Sequence, residues 1–442
     1  MYLQKVAIRN IRSIREFEMT FQNPAGWHVL IGDNGAGKSS IIRAIAAALI
    51  GPEQIAAVLP NWQEWLTKGE EEAKINLELL PDRNVDKIGR GQPTDNPITN
   101  ELSLTREERG VRMQSNANVS RKPPTNYNWS NNEGWFSVAY GPFRRFTGGD
   151  NRWNKVYYSA PKAGAHLSVF GEDVALTEAL DWLKELDRMR LKERESRQAS
   201  SSTVEETGPG YESGAGLLFE NLKTFINISQ LLPHEAHFDK VDIDGNILFA
   251  DGAGAEVKIT EMSDGYRSIL SLTFELIRQL VTTYGAEKVF PRGETTSSIG
   301  LPGVVLIDEI DAHLHPTWQT RIGAWFTRYF PNIQFIVTTH SPLVCRAAEK
   351  GSIWRLATPS SGEVSGEITG NDRKKLLFGN ILDAYGTEVF GESPVRGSKG
   401  DEQLERLGKL NMLFALGTIS DEENSERLAL QQIHSTDAPT GF

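Results

Sequence analysis

The chain has 442 residues, 39% of them hydrophobic and 24% charged, and a formal net charge of −11. This length and balance exclude the disordered, collagenous and fibrous classes, predict two or three subdomains, and argue against a chain-wide basic coat for nucleic acid. A lone cysteine, Cys345, excludes an internal disulfide framework and a paired-cysteine metal hook; with no signal peptide or bilayer-length apolar run visible, a cytoplasmic protein without a membrane partner is expected.

The opening residues read as strands: KVAIRNI and FEMTF mix β-branched, aromatic and polar residues, and WHVLIG is a short apolar run ending at Gly32. After a glycine loop, SSIIRAIAAALIG predicts a helix closed by Gly51 and Pro52. EAKINLEL alternates like a strand. From Pro81 to Glu133 the chain is rich in Asn, Arg, Pro, Thr and Ser, and a polar insertion is expected. FSVAYG predicts a strand, followed by the arginine-bearing turn PFRRFTGGD. From Leu176 the chain turns helical, with Leu180, Leu183, Leu186 and Met189 on one stripe. SSSTVEETGPG predicts a flexible turn, and LFENLKTFINISQLL a second helix. At 1.5 Å per residue each helix spans about 30 Å, which makes a short arm rather than a long coiled coil. A strand pair is expected in VDIDGNILFADG, then a helix over SILSLTFELIRQL. VVLID and QFIVTTH are continuous apolar runs of the kind found in buried parallel strands. Two short helices are expected in the C-terminal stretch, the second opening with Ser420 and Glu423 in capping-box spacing.

The strongest motif runs from Gly32 to Ser39, GDNGAGKS, between a strand and a helix. Glycines let successive backbone N–H groups turn inward around an anion, and the helix N-terminus adds partial positive charge. Lys38 adds a full charge against the β- and γ-phosphates of ATP, and Ser39 offers a hydroxyl to Mg²⁺. Asn34, Gly35, Ala36, Gly37, Lys38, Ser39 and Ser40 are the expected nucleotide-binding residues of this loop. The second motif is VVLIDE: a buried strand delivers Asp308, expected to hold Mg²⁺, and Glu309, expected to polarise the attacking water. Strands often end in acidic residues, and the preceding phosphate loop is what gives this pair weight. The third is MSDGYRS before a helix, where Ser263 and Gly265 mark an anion site or, alternatively, a plain cap made by Ser263 or Asp264. The fourth is His340 in IVTTHSP, expected to hydrogen-bond the γ-phosphate or the attacking water.

In the order Lys38, Ser263, Asp308 with Glu309, and His340, these residues match Walker A, signature, Walker B and H-loop. The chain resembles an ABC-type ATPase head of the SMC, RecF and OLD branch, carried further by Ile8-Arg9-Asn10-Ile11-Arg12-Ser13 at the start and by DEIDAHLHP and TTHSP. The resemblance implies an α/β fold: a P-loop parallel sheet, an antiparallel β subdomain, a short helical arm and C-terminal helices. The expected divisions are an N-terminal lobe (1–80), the polar insertion (81–133), a Q-loop-like region (134–170), the arm (171–235), a C-terminal lobe (236–390) and a helical tail (391–442). It further implies that Arg9, Arg12 and Ser13 contact the nucleotide, and that Ser263 and Gly265 of one subunit complete the ATP site of another in a homodimer or higher oligomer. Two departures stand out: Tyr266 occupies a position where glutamine is common, and His315 stands where transporters carry the D-loop aspartate. No Q-loop glutamine can be placed. Arg144 or Arg145 either serves that stretch or makes a surface salt bridge.

The chain is similar to the ATPase subunits of bacterial anti-phage systems of the Septu, retron and PARIS types. The expectation is an ATPase switch or scaffold that controls a separate effector such as a nuclease. The stretch ILDAYGTEVFGESPV and the helices after it resemble the tails of such ATPases, or else form a helical cap. The alternatives are a RecF-like repair ATPase that clamps DNA and an ATP-binding scaffold with little turnover. A DNA clamp needs a basic surface. Arg106, Arg109, Arg112, Arg121 and Lys122 in the insertion are one candidate. Lys184, Arg188, Arg190, Lys192, Arg194 and Arg197 on the arm are another, but Glu185, Asp187, Glu193 and Glu195 interrupt them, as on a solvated helix face.

Overall fold

The computed structural model describes residues 1–442 except 90, 94, 118–121, 131–132, 145–152, 154–155, 157–158, 172–176, 201–213, 233–234, 293–294, 359–361, 381–397 and 434–442. Arg121, Arg145, the turn SSSTVEETGPG beyond its first serine and the tail segment ILDAYGTEVFGESPV lie outside the described residues, as does the side chain of Arg197. The chain divides into two units, Met1–Ile381 and Leu382–Phe442.

The first unit is built on two larger sheets. One is antiparallel, in the order β2 (Ile14–Thr20), β1 (Tyr2–Ile11), β4 (Glu72–Leu80), β5 (Ile98–Glu107), β6 (Gly110–Ser115). The other has the order β14 (Gly366–Glu367), β13 (Gly351–Leu356), β3 (Gly26–Gly32), β12 (Ile333–Thr338), β11 (Gly303–Ile307), β7 (Ser137–Tyr140). Strands β13, β3, β12, β11 and β7 run parallel, and only β14 is antiparallel to its neighbour. Strands β8 (His237–Val241), β9 (Ile247–Ala250) and β10 (Glu256–Lys258) form a small third sheet.

Helices of nine or more residues are numbered. Helix α1 (Lys38–Ile50) packs against both larger sheets. This explains why SIIRAIAAALI is apolar all round: Ile41, Ile42, Ala44 through Ala48 and their neighbours are buried whichever way they point. Helices α2 (Thr177–Ser200) and α3 (Ala215–Ile228) form the paired arm. Leu180, Leu183 and Leu186 are buried along it, whereas Met189 is exposed. Helix α4 (Asp264–Tyr284) packs against α2 and β7, and α5 (Pro316–Tyr329) stacks Phe326 on Trp27 of β3. Helix α6 (Gly370–Phe378) follows β14.

The stretch from 81 to 133 differs from the polar insertion expected of it. Ile98, Leu102 and Leu104 of β5 are buried in alternation, and β5 pairs with β4 over eight residue pairs. Its polar residues have a structural task. The last carbonyls of a helix lack intrahelical donors. Asn100 Nδ2 donates to Ala48 O (2.9 Å), and Trp129 Nε1 donates to the same oxygen (2.8 Å). The stretch thus completes the antiparallel sheet and caps α1.

The second unit contains α7 (Ser398–Ala415) and α8 (Asp421–Ile433), which pack through Leu407, Leu410 and Leu430. The expected capping box is present: Glu423 N donates to Ser420 Oγ (3.2 Å) and Ser420 N to Glu423 Oε2 (3.0 Å). Among the described residues no helix is long and apolar enough to cross a membrane.

Candidate functional site

Strands β3, β12 and β11 are adjacent and parallel, so their C-terminal ends open on one edge of the sheet. Ligands of open α/β sheets bind at that edge. The sequence places Gly32 at the end of β3, Asp308 immediately after β11 and Thr338 at the end of β12.

The loop from Gly32 to Lys38 has the backbone of an anion cradle. Gly35 has φ 84° and Gly37, the N-cap of α1, has φ 100°, left-handed values that glycine adopts without strain. No side chain caps α1, which leaves its first N–H groups facing the loop. A Cβ on Gly37 would run into Ile14 and stand 3.0 Å from Ser13 Oγ, so Ser13 lies against the loop. Lys38 is buried, and its Nζ donates to the carbonyls of Gly32 (2.8 Å) and Asp33 (3.1 Å). Burial lowers its pKa, against the raising influence of Asp308, Glu309, Asp311 and Asp33.

Across the cradle, Asp308 is buried and its Oδ1 accepts from Thr338 Oγ1 (2.6 Å). The same hydroxyl accepts from Glu309 N (2.7 Å). One threonine therefore fixes both the carboxylate and the turn after it. Glu309 has φ 47°, a conformation uncommon for a non-glycine residue that turns the chain sharply at the sheet edge. Asp311 accepts from Thr339 Oγ1 (2.6 Å) and, at 3.4 Å, from His340 N, which fastens the His340 backbone. Burial lowers the His340 pKa and Lys38 lowers it further, while Asp311, Glu309 and Asp33 raise it. Adjacent strand ends, the Thr338 bonds to Asp308 and Glu309, and the Asp311 bond to His340 N bring Lys38, Asp308, Glu309, Asp311 and His340 to one edge of the sheet.

The residues present fit a nucleotide triphosphate with a divalent cation. The cradle offers glycine turns, unclaimed helix N–H groups and one ammonium. Ser39 and Asp308 supply one hydroxyl and one carboxylate, a donor pair of the kind Mg²⁺ takes when phosphates and waters complete its shell.

The other expected residues have their own surroundings. Arg12 lies over the Trp65 ring, 4.8 Å from its centroid, with its pKa lowered by burial and by Arg43. Arg9 lines a separate cavity with Asn10, Glu70, Glu72 and Lys74, none of which belongs to the phosphate loop. Ser263 is the N-cap of α4 without a side-chain cap bond, and Asp264 pairs with Arg267, so the plain-cap alternative is not what forms. Among the described residues no hydrogen bond joins Ser263 or Gly265 to the phosphate loop of the same chain. His315 caps α5 by accepting from Thr317 N (3.3 Å).

Arg144 is not exposed, and among the described residues it makes no salt bridge. It is buried, and Nε donates to Ser268 Oγ (3.0 Å). Its remaining donors reach the carbonyls of Gly141 (3.0 Å), Asp308 (2.9 Å), Glu309 (3.0 Å) and Ile310 (3.3 Å). Burial pulls its pKa down to about 10. Sequence reasoning singled out the arginine but not its bonds to backbone carbonyls, and it gave Thr338 and Asp311 no role of their own; the signals were the polar run TTH ending an apolar strand and the motif DEIDAHLHP.

Three of the six arm cations are engaged by acids. Arg188 pairs with Glu185, Arg190 with Asp187 and Glu220, and Arg194 approaches Glu220. In the former insertion, Arg112 pairs with Glu107 and Arg106 Nε donates to Glu70 O.

A family model described as "AAA domain, putative AbiEii toxin, Type IV TA system" (AAA_21) matches residues 28–346. The chain is 26% identical over 359 residues to "Septu protein PtuA" of Bacillus mycoides (strain KBAB4), covering 80% of this chain and 40% of that protein. It is 32% identical over 184 residues to "Retron Ec83 probable ATPase" of Escherichia coli, covering 39% of this chain and 32% of that one. The chain thus spans less than half the length of either relative. Among solved structures it is similar to the Smc head domain of Pyrococcus furiosus bound to the C-terminal domain of ScpA, with 16% identity and a TM-score of 0.46, covering 83% of this chain and 96% of that one.

Proposed function

The chain belongs to the AAA_21 family of ATPases, and on that premise we propose that it is a Mg²⁺-dependent ATPase acting as a nucleotide-dependent switch or scaffold for a separate effector, such as a nuclease, in bacterial anti-phage defence. The observation that carries the catalytic part is that the ends of β3, β11 and β12 lie side by side and bring Lys38, Asp308, Glu309 and His340 to one edge, with Thr338 joining Asp308 to Glu309 and Asp311 fastening His340 N. The likeness to Septu and retron proteins supports the defence setting. The pairing of the arm's cations favours this reading over a DNA clamp.

In this mechanism ATP binds with its phosphates in the loop from Gly32 to Ser39. Lys38 exchanges the carbonyls of Gly32 and Asp33 for phosphate oxygens. Ser39 and Asp308 would hold Mg²⁺, which would offset phosphate charge there. Glu309 orients the attacking water and takes its proton. His340 can hydrogen-bond the transferred phosphoryl group or the attacking water. Ser263 and Gly265 reach the phosphate from a second copy of the chain.

The test is ATP turnover, with solution mass measured in parallel, with and without ATP and Mg²⁺. Lys38→Ala should bind nucleotide weakly. Glu309→Gln should bind it, turn over slowly and accumulate the assembly that shares its sites. Unchanged turnover in Lys38→Ala removes the P-loop assignment, and equal turnover in Glu309→Gln removes Glu309 from the mechanism. The effector reading is tested by co-expression with the neighbouring gene, and a chain that purifies without it in every nucleotide state counts against it.

A further inference from the structure

We propose that Arg144 is a positioning residue coupling the helix that carries Ser263 and Gly265 to the turn that carries Glu309. The inference rests on the ATPase reading above and adds to it the internal connection between its two halves.

A guanidinium has five N–H donors in a fixed fork. Among the described residues, Arg144 makes five bonds, all to neutral acceptors: the Ser268 hydroxyl and the carbonyls of Gly141, Asp308, Glu309 and Ile310. Three of those carbonyls are consecutive. They belong to the turn in which Glu309 takes its positive φ. A buried arginine kept only for charge balance would face a carboxylate directly. This one instead collects the backbone of the Asp308–Ile310 turn and fixes which way it faces.

The Nε arm leaves that turn and reaches α4. Ser268 lies five residues beyond Ser263, about 7.5 Å along the helix axis. The Ser271 hydroxyl, 3.0 Å from Ser268 O and 3.4 Å from Arg144 O, shares its one proton between them, so α4 also meets the backbone of the arginine. A second contact lies nearby: a Cβ on Gly265 would stand 2.9 Å from His313 O. The first turns of α4 thus touch the segment from Asp308 to His313 twice, once directly and once through Arg144. The base of the link is stiff, because Arg144 follows β7 and Asp308 N donates to Tyr140 O (2.8 Å).

Any displacement of the α4 N-terminus, as when Ser263 engages a phosphate held by a second copy, must either break the Ser268 bond or carry the guanidinium with it. Carrying it drags the carbonyls of Asp308, Glu309 and Ile310. The Glu309 carboxylate is then placed for water only when α4 is in register. Misplacing a catalytic group by about 1 Å can cost on the order of a hundredfold in rate.

The experiment compares wild type, Arg144→Lys and Ser268→Ala by ATP turnover and by the Kd of a fluorescent ATP analogue. A lysine has three donors and cannot span the five acceptors. Arg144→Lys is expected to lower kcat by about 30- to 100-fold, with the Kd changed less than about threefold. Ser268→Ala cuts only the arm to α4 and leaves the carbonyl contacts, so it keeps the test open if the arginine variant does not fold. It is expected to lower kcat by about tenfold at unchanged Kd. A purely structural role would damage stability or binding and leave kcat of the folded, nucleotide-bound protein intact. Normal kcat in Ser268→Ala, or parallel loss of Kd and kcat in both variants, overturns the coupling while leaving the ATPase reading standing. A wild type with no turnover overturns the ATPase reading and this inference with it.

Discussion

Thr338 makes the sharpest quantitative case. Replacing it by valine keeps the branched shape at the end of β12 and deletes one oxygen. That oxygen donates to Asp308 Oδ1 at 2.6 Å and accepts from Glu309 N at 2.7 Å. Thr338 is fully buried and Asp308 is 1% exposed, so nearby bulk water cannot replace either bond freely. A hydrogen bond to a charged group contributes about 1.5–3 kcal/mol and an ordinary one about 0.5–1.5 kcal/mol. Loss of both predicts a destabilisation of roughly 2–4 kcal/mol. The assay is urea unfolding of wild type and Thr338→Val, combined in a double-mutant cycle with Asp308→Asn. If the threonine acts through the carboxylate, the cycle should show a coupling of about 1 kcal/mol or more. A destabilisation below about 0.5 kcal/mol, or additive single effects, refutes the reasoning.

Three further outcomes are expected. Gly37→Ala places a Cβ at φ 100° and against Ile14; it should abolish tight nucleotide binding and cost about 1–3 kcal/mol, and a variant that binds ATP analogue normally would contradict the cradle. Burial holds the His28 imidazole down at about 4, between Ser352 and Pro24. The unfolded chain gains this proton as pH falls through 6.5, whereas the folded chain gains it only near 4. Stability should therefore fall with pH across that window, by roughly 3 kcal/mol in full for this histidine, and the unfolding free energy of His28→Asn should show a shallower slope; an identical slope removes His28 as the cause. Glu178 has the opposite sign: burial raises its pKa to about 7, so its contribution to stability is lost as pH rises from 4.5 through 7. Glu178→Gln should stabilise at pH 8 by about 1 kcal/mol and by less at pH 5, and a gain independent of pH would point to packing instead.

The parts of the fold that were legible in the sequence are those whose physics is local. The glycine spacing from Gly32 to Gly37 states its own backbone conformation. The all-round apolar helix after it could only be buried between layers. The runs VVLID and QFIVTTH could only be interior parallel strands, and Ser420 with Glu423 closed the expected capping box. The stretch from 81 to 133 was misread for an equally physical reason. Strand β5 places Asn100 at an inward position, which breaks the apolar alternation that marks a strand. That asparagine is buried because a helix carbonyl, Ala48 O, needs a donor, a demand that arises only once α1 lies on the sheet. Met189 errs the other way: it continues the stripe of Leu180, Leu183 and Leu186, yet it is exposed.

The candidate site follows the same division. Lys38, Asp308, Glu309 and His340 can be singled out as candidates because side-chain chemistry is written in the sequence. What joins them is not, because most of the joints end on backbone atoms. Arg144 binds four carbonyls and one hydroxyl, Thr338 takes a backbone N–H, and Asp311 receives the N–H of His340. Carbonyls are contributed by every residue, so a motif comparison sees no change when such a joint is lost. It follows that two chains with identical Walker and H-loop motifs can differ widely in turnover if one lacks an arginine at the position of Arg144 or a hydroxyl at that of Thr338. Substitutions at those two positions should therefore separate nucleotide binding, which needs only the cradle, from hydrolysis, which needs the turn after β11 held in register.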